Sequence, residues 1–174
     1  MAALLRLAGP GLPASQRGFA LSTDSNPRWC ALDPRTGTAL TVAESVANLA
    51  CVGATPQAVV NCLNFGNPEH PEVMWQLSEA VDGMSEACEA FGLPVIGGNV
   101  SLYNESGGRD IDPTPVVGVV GLVDSLLAPP PGWAWRTGDT VFLVGHRYAI
   151  GEQAFPLGGS RWASQRGRRG GRLP

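Results

Sequence analysis

The sequence predicts an α+β domain (a two-layer α/β arrangement) with one mixed sheet and helices on one of its faces. Two long segments repeat apolar residues at helical spacing, and several apolar runs of strand length lie before, between and after them. Clusters of turn-forming residues separate these segments. The 174 residues, 44% of them hydrophobic, suffice for one core and a small part of a second domain.

A strand, a helix and a second strand come first. Residues 18–23 alternate between apolar and polar side chains, as a half-buried strand does. A helix is predicted from Thr38 to the stop at Gly53. Its apolar face consists of small residues, which predicts a closely packed neighbour. Residues 57–63 are predicted to form a mostly buried strand.

The next helix is predicted from about Pro71 to Gly92, with apolar residues on one face and acidic residues on the other. His70 stands just before it and is predicted to act as a helix cap. Residues 93–96 are predicted to form a short strand that runs into a polar turn, Gly97–Ser101.

Two further strands are predicted in the second half of the chain. The apolar run 115–123 has the length of a buried strand, and residues 140–144 form another. Three prolines and a glycine at 129–132 indicate a linker between them.

Charge and composition divide the chain into four predicted segments. Residues 1–17 are unassigned, 18–128 form a sheet-forming domain, and 129–163 form a linker and the truncated start of a companion domain. Residues 164–174 are rich in Arg and Gly and lack any apolar period, which favours a disordered tail. A nucleic-acid-binding tail and out-of-frame translation are the alternatives. With a net charge of −3, the chain as a whole does not suit nucleic acid.

Composition excludes several kinds of site. The chain has no lysine, which excludes a Walker A phosphate loop and Schiff-base chemistry. Its four cysteines form no CxxC pair, so we expect buried reduced thiols rather than a zinc site or disulfides. No apolar run is long enough for a transmembrane helix, and the predicted location is the cytoplasm.

Three polar, turn-rich stretches are candidate ligand sites: residues 61–69, 98–105 and 109–114. The first two follow strands, and ligands of open α/β sheets bind outside the carboxyl ends of strands. Asn99 offers an amide oxygen that suits Mg²⁺, and Ser101 offers a hydroxyl for a phosphate or a substrate. Spacing alone favours a plain β-turn for the same residues, because Gly-Gly-Asn is a weak signal for a ligand site.

Arginines in loops supply a further kind of candidate site. Arg28, Arg35 and Arg109 are candidate phosphate binders, because the guanidinium group matches a phosphate with two parallel hydrogen bonds.

Four strings carry a resemblance to a known family. They are ALTVAESVANLACVG (39–53), NCLNFGNPEHPEVMWQ (61–76), PVIGGNVSLYNES (94–106) and PTPVVGVVGLV (113–123). Together they resemble the large synthase subunit of the phosphoribosylformylglycinamidine synthase family. The implied fold is the N-terminal domain of the aminoimidazole ribonucleotide synthetase-like superfamily.

The resemblance implies a ligase of de novo purine biosynthesis. Members use ATP to convert formylglycinamide ribonucleotide and ammonia to formylglycinamidine ribonucleotide. A glutaminase subunit supplies the ammonia, and a small subunit bridges the two. The chain is similar to a fragment from the second half of the large subunit, which we expect to be inactive alone. The alternative is a non-catalytic nucleotide-binding or assembly domain that associates with itself through its sheet face.

The resemblance also implies roles for individual residues. Gly98 takes the nucleotide-binding position, Asn99 the magnesium position and Ser101 the substrate position. Asn61 stands where the family often has an Asp assigned to ATP, so it keeps an oxygen ligand but loses the charge. No residue matches the family's catalytic histidine, so no catalytic residue is predicted here. The implied cofactors are ATP and Mg²⁺.

Overall fold

The predicted α+β class is confirmed by the computed structural model, which describes residues 2–11, 13, 15–127, 135–142 and 157–174. The elements are β1 (Ala3–Arg6), β2 (Gly18–Asp24), α1 (Pro27–Leu32), α2 (Pro34–Ala50), β3 (Thr55–Asn64), α3 (Pro71–Phe91), β4 (Val95–Ser101), β5 (Glu105–Ser106), β6 (Arg109–Asp110), β7 (Thr114–Val123) and α4 (Arg161–Gln165).

Five strands form one mixed sheet in the order β1-β2-β7-β3-β4. β3 and β4 run parallel, and every other neighbouring pair runs antiparallel. β7 lies at the centre and buries every second residue from Pro115 to Val123. β4 forms one edge, with six of its seven residues exposed. The short β5 and β6 pair separately as a hairpin.

Helices α2 and α3 pack side by side on one face of the sheet. Val42 and Leu49 of α2 and Met84 of α3 join Val59 and Val117 of the sheet in one buried cluster. The close packing predicted for the apolar face of α2 is confirmed, because a β-carbon at Gly121 of β7 would collide with the Leu49 side chain. Burying this shared apolar surface is the main force that holds the two layers together.

Helix ends follow local capping signals. Asp33 caps α2 by accepting a hydrogen bond from the Thr36 N–H at 2.9 Å, and Pro34 occupies the first turn. The helix therefore begins at Pro34, earlier than the predicted Thr38. α3 spans the predicted range and ends at Gly92, whose φ of 66° is left-handed.

Arg35 ties α2 to the acidic face of α3. Its guanidinium nitrogens lie 3.0 Å from Glu79, 2.7 Å from Asp82 and 2.8 Å from Glu86. Partial desolvation lowers the pKa of Arg35, but the facing carboxylates outweigh it and raise the pKa above its ordinary value. The three carboxylates occupy the guanidinium group, so the prediction that Arg35 binds phosphate is wrong.

Some predicted elements differ from those observed. The Gly97–Ser101 turn is wrong, because these residues continue β4 and pair with β3 as far as Asn64. Sequence patterns also missed β1, α1 and the β5–β6 hairpin. In the predicted strand 140–144, residues 140–142 are not in a strand, and residues 143–144 lie outside the described residues, as does the linker at 129–132.

The cysteines only partly match the prediction. All four are free, and Cys30 and Cys88 are buried. Burial raises the pKa of the Cys30 thiol to about 11. The expectation of burial is wrong for Cys51, which is exposed, and for the half-buried Cys62. Both lie away from the core. Cys51 follows the last residue of α2, and Cys62 lies on the face of the sheet that no helix covers.

The division of the chain into four segments stays a prediction. Residues 157–174 are described and include α4, and Leu173 is only 8% exposed. Within the described ranges, no helix is both long and apolar enough to cross a membrane.

Candidate functional site

The carboxyl ends of β3 and β4 meet at one end of the sheet. The two strands are parallel, and Asn64 at the end of β3 lies beside Ser101 at the end of β4. The backbone N–H of Phe65 donates to the Ser101 carbonyl at 3.0 Å, which holds the two loop entrances together. The prediction that the loops after these strands share one end of the sheet is confirmed.

Asn61 and Gly98 are neighbours across the β3–β4 pair. Asn61 Nδ2 lies 3.5 Å from the sulfur of Met84, which places this side chain on the face that the helices cover. A β-carbon at Gly98 would collide with Asn61 Oδ1 and lie 2.7 Å from its backbone oxygen. Position 98 therefore selects glycine for strand pairing as well as for any approach of a ligand.

Asn99 and Ser101 lie on the opposite face of the sheet, because strand residues alternate sides. They align with Cys62 and Asn64 of β3. The structure therefore brings the four predicted site residues onto adjacent positions but divides them into two pairs. Since β4 is an edge strand, a ligand that wraps around this edge can contact both pairs.

Asn104 fixes the geometry beyond Ser101. Its Nδ2 donates to the Phe65 and Ser101 carbonyls, each at 2.9 Å, and lies 3.1 Å from Ser101 Oγ. Tyr103 adopts a left-handed φ of 59°, and its N–H donates to the Gly66 carbonyl at 2.8 Å. This network holds the Ser101 hydroxyl in place at the strand end.

His70 and Asp110 form a pair beside the loop that follows β3. Asp110 accepts from the Asn67 N–H at 2.6 Å and lies 2.7 Å from His70 Nδ1. The hydrogen bond from the Asn67 backbone, and then that from His70, lowers the pKa of the Asp110 carboxyl. His70 precedes α3 as predicted, but its side chain makes no capping hydrogen bond. No local pattern links residues 40 positions apart, so sequence analysis missed this pair.

Neither of the other two arginine candidates lies on β3 or β4. Arg28 Nε donates to the Gly159 carbonyl at 3.1 Å, and Arg109 lies in the β6 hairpin strand. Among the described residues, no three His, Cys, Asp or Glu side chains converge as a metal site would require. The site at the β3 and β4 ends therefore offers amide and hydroxyl oxygens and backbone groups rather than a preformed cage of charged ligands.

Comparison with known families identifies the domain. The family described as AIR synthase related protein, N-terminal domain, matches residues 1–123. This range contains the whole five-stranded sheet and both packed helices.

Individual relatives agree with this match. The PurL subunit of phosphoribosylformylglycinamidine synthase from Renibacterium salmoninarum is 51% identical over 158 residues, which is 90% of this chain and 20% of that protein. The PurL subunit from Thermomicrobium roseum is 50% identical over 165 residues, 95% of this chain and 21% of that protein. The chain thus spans about a fifth of the length of these relatives.

A solved structure shares the fold. Phosphoribosylformylglycinamidine synthase II from Thermotoga maritima is 37% identical with a TM-score of 0.63, over 74% of this chain and 20% of that one. The T. maritima PurL has also been solved with ATP, with FGAR and as PurLQS. The predicted resemblance is confirmed, and the chain belongs to the AIR synthase related family, whose N-terminal domain it carries.

Proposed function

We propose that this chain is part of a phosphoribosylformylglycinamidine synthase of de novo purine biosynthesis, acting in the cytoplasm. The enzyme converts formylglycinamide ribonucleotide, glutamine-derived ammonia and ATP to formylglycinamidine ribonucleotide. ATP would transfer its γ-phosphoryl group to the carbonyl oxygen of the glycinamide amide and leave as ADP, ammonia would add to that carbonyl carbon, and the oxygen would leave with the phosphate. The observation that carries the proposal is about 50% identity to PurL subunits along nearly the whole chain.

The open edge of β4 is the proposed ligand-binding place. Gly98 would let the nucleotide approach the backbone, and Asn61 would offer its amide oxygen on the same face. On the other face, Ser101 would contact the substrate through the hydroxyl that Asn104 holds. The ATP and FGAR complexes of the T. maritima relative support these two ligands.

Magnesium would bind through Asn99 together with the phosphates of ATP. Mg²⁺ in nucleotide sites keeps several waters and needs only one or two protein ligands, so a single amide oxygen fits this role. When bound, the ion would neutralise charge on the phosphates. Asn99 would hold that ion at the strand edge, near Ser101.

The rest of the catalytic machinery would lie outside this chain. Because the chain spans about a fifth of its PurL relatives, we expect no turnover from it alone. The proposed partners are a glutaminase subunit and a small bridging subunit, and the PurLQS structure of T. maritima supports such an assembly.

The second candidate is a non-catalytic nucleotide-binding or assembly domain. The sheet face opposite α2 and α3 favours it, because apolar side chains such as Leu21 and Val60 are exposed there. We propose that a second sheet-forming domain of the same kind covers this face, which in the isolated chain would be a second copy.

A thermal melt of the purified chain with and without Mg-ATP tests the nucleotide site. A ligand that binds only the folded state stabilises it by about 2.7 kcal/mol at one hundred times its Kd. We therefore expect Mg-ATP to raise the melting temperature by several degrees. An unchanged melt would mean that the β4 edge does not bind nucleotide in this chain.

Asn99→Ala tests the proposed magnesium site, because it removes the amide oxygen that would bind the ion. We expect the variant to lose most of the shift caused by Mg-ATP but to respond to ATP without magnesium as the parent chain does. Gln57→Ala is the matched control, since Gln57 is exposed near the amino end of β3, far from Asn64. Equal shifts in the Asn99 variant and the control would count against a role in metal binding.

A further inference from the structure

A cleft of about 420 Å³ lies between helix α1 and the segment 157–169. Arg28 comes from α1, whereas Arg168 and Arg169 come from the end of the chain. Asp112, in the loop between β6 and β7, also lines it. We call this space the arginine cleft, defined by these four residues. None of the residues that line it belongs to β4.

The cleft has a defined backbone frame. Gly158 N–H donates to the Arg172 carbonyl at 2.8 Å, so the segment folds back on itself. Arg28 Nε donates to the Gly159 carbonyl at 3.1 Å and fastens the segment to α1. Ala163 and Leu173 are buried at 3% and 8% exposure. These contacts hold the arginines of two distant parts of the chain around one space.

The charge of the cleft is strongly positive. Three guanidinium groups face one carboxylate, and no acidic residue occurs between positions 153 and 174. Among the described residues, none of the three arginines forms a salt bridge. The guanidinium carbon of Arg168 lies 5.5 Å from the centre of the Trp162 ring, a cation–π contact that limits its conformations.

We propose that the arginine cleft binds a small phosphate-bearing anion. Guanidinium groups match phosphate oxygens with pairs of charge-assisted hydrogen bonds. Arg28 uses Nε for Gly159, which leaves its two terminal nitrogens for such a pair. The cleft has room for a phosphate or pyrophosphate group, whereas nucleic acid binds along an extended basic track.

The test is a calorimetric titration of inorganic pyrophosphate into the full chain at low ionic strength. Pyrophosphate has no base or sugar, and Asn99→Ala should leave its binding in the arginine cleft unchanged, which distinguishes the cleft from the nucleotide site at β4. We expect saturable binding with one site, and we expect Arg168→Ala/Arg169→Ala to weaken it by roughly tenfold or more. Arg161→Ala/Arg172→Ala removes the same charge outside the cleft and should weaken it far less.

Two single variants make the test specific. Asp112→Asn removes the opposing carboxylate and should tighten pyrophosphate binding, a gain that misfolding does not produce. Arg28→Lys keeps the charge but loses the planar guanidinium group and its contact with Gly159, and should weaken binding while the circular dichroism spectrum of the whole chain stays unchanged. If Arg168→Ala/Arg169→Ala and Arg161→Ala/Arg172→Ala weaken pyrophosphate binding equally, the proposal is overturned. Equal effects would indicate a general attraction to positive charge rather than a site in the cleft.

The source of the phosphate is distinguished by repeating the titration with AMP and ATP. Binding of ATP that is tighter than pyrophosphate and sensitive to Arg168→Ala/Arg169→Ala would assign the cleft to a nucleotide's phosphates. Equal affinity would assign it to the free anion. Tight binding of a single-stranded oligonucleotide that pyrophosphate fails to displace would contradict a small-anion site. A failed Mg-ATP melt would leave these results unaffected.

Discussion

Asp24 joins the end of β2 to α2 through its carboxylate. Ser22 and Ser45 donate to Oδ2 at 2.5 and 2.6 Å, and Asn48 donates to Oδ1 at 3.0 Å. Burial raises the pKa of Asp24, but the three hydrogen bonds outweigh it and the pKa falls below its ordinary value. Both serines are almost fully buried, so they depend on this acceptor.

Asp24→Asn should therefore lower stability at neutral pH, by about 1–2 kcal/mol. A lowered folded-state pKa gives stability that is present above the unfolded pKa of about 3.9 and is lost as pH falls through the folded value. The gap between parent and variant in urea unfolding should narrow below about pH 4. Asp124→Asn is the control, since that side chain is 88% exposed. A gap that stays constant from pH 7 to pH 3 would contradict the role of the Asp24 charge.

The close contact between helices α2 and α3 depends on Gly83, which has no side chain. A β-carbon at Gly83 of α3 would collide with the carbonyl oxygen of Arg35 and lie 2.7 Å from its carbonyl carbon. This close approach also brings the Arg35 guanidinium group within reach of the α3 carboxylates. Gly83 is therefore selected by packing, against the usual preference of a helix for alanine.

Gly83→Ala should destabilise the domain by about 1–3 kcal/mol, because the two helices must separate. The sign of the change in the free energy of unfolding distinguishes the two cases, because replacing glycine by alanine in an unobstructed helix stabilises it by about 1 kcal/mol. Gly97→Ala serves as the control, because its β-carbon would meet no atom within 4 Å. Equilibrium unfolding in urea measures both. If Gly83→Ala stabilises the domain, α2 and α3 do not approach each other as closely as the Gly83–Arg35 contact requires.

At the scale of the whole molecule, one face of the sheet has no helix layer. Val60 and Leu21 are 45% and 43% exposed, and Leu122 is 36% exposed. They lie on neighbouring strands and form one apolar surface rather than scattered residues. Surfaces of this kind mark interfaces, and this one is the proposed contact with a second sheet-forming domain.

The isolated chain is accordingly expected to dimerise at high concentration. Val60→Glu places a charge on the sheet face and should shift sedimentation velocity profiles toward the monomer. Val81→Glu adds the same charge at a residue of α3 that is similarly exposed, and should leave the dimer intact. A monomeric parent chain, or equal effects of both variants, would rule out the sheet face as the interface.

Local sequence signals were enough to predict the α+β class, the bounds of α3 and the shared end of β3 and β4. These features follow from local signals: apolar periodicity, the left-handed stop at Gly92 and polar residues after strands. The four family strings also sufficed to predict the relationship to PurL subunits. The roles of Asn61, Gly98, Asn99 and Ser101 stay predictions.

The positions of these four residues relative to one another could not be predicted in this way. The glycines of β4 suggest a turn locally, but pairing with β3 along one side holds them in a strand. Likewise, Arg35 contacts Glu79 and Asp110 contacts His70, in each case across more than 35 residues of sequence. Contacts between distant parts of the chain depend on the packing of the sheet and helices, and no local pattern encodes them.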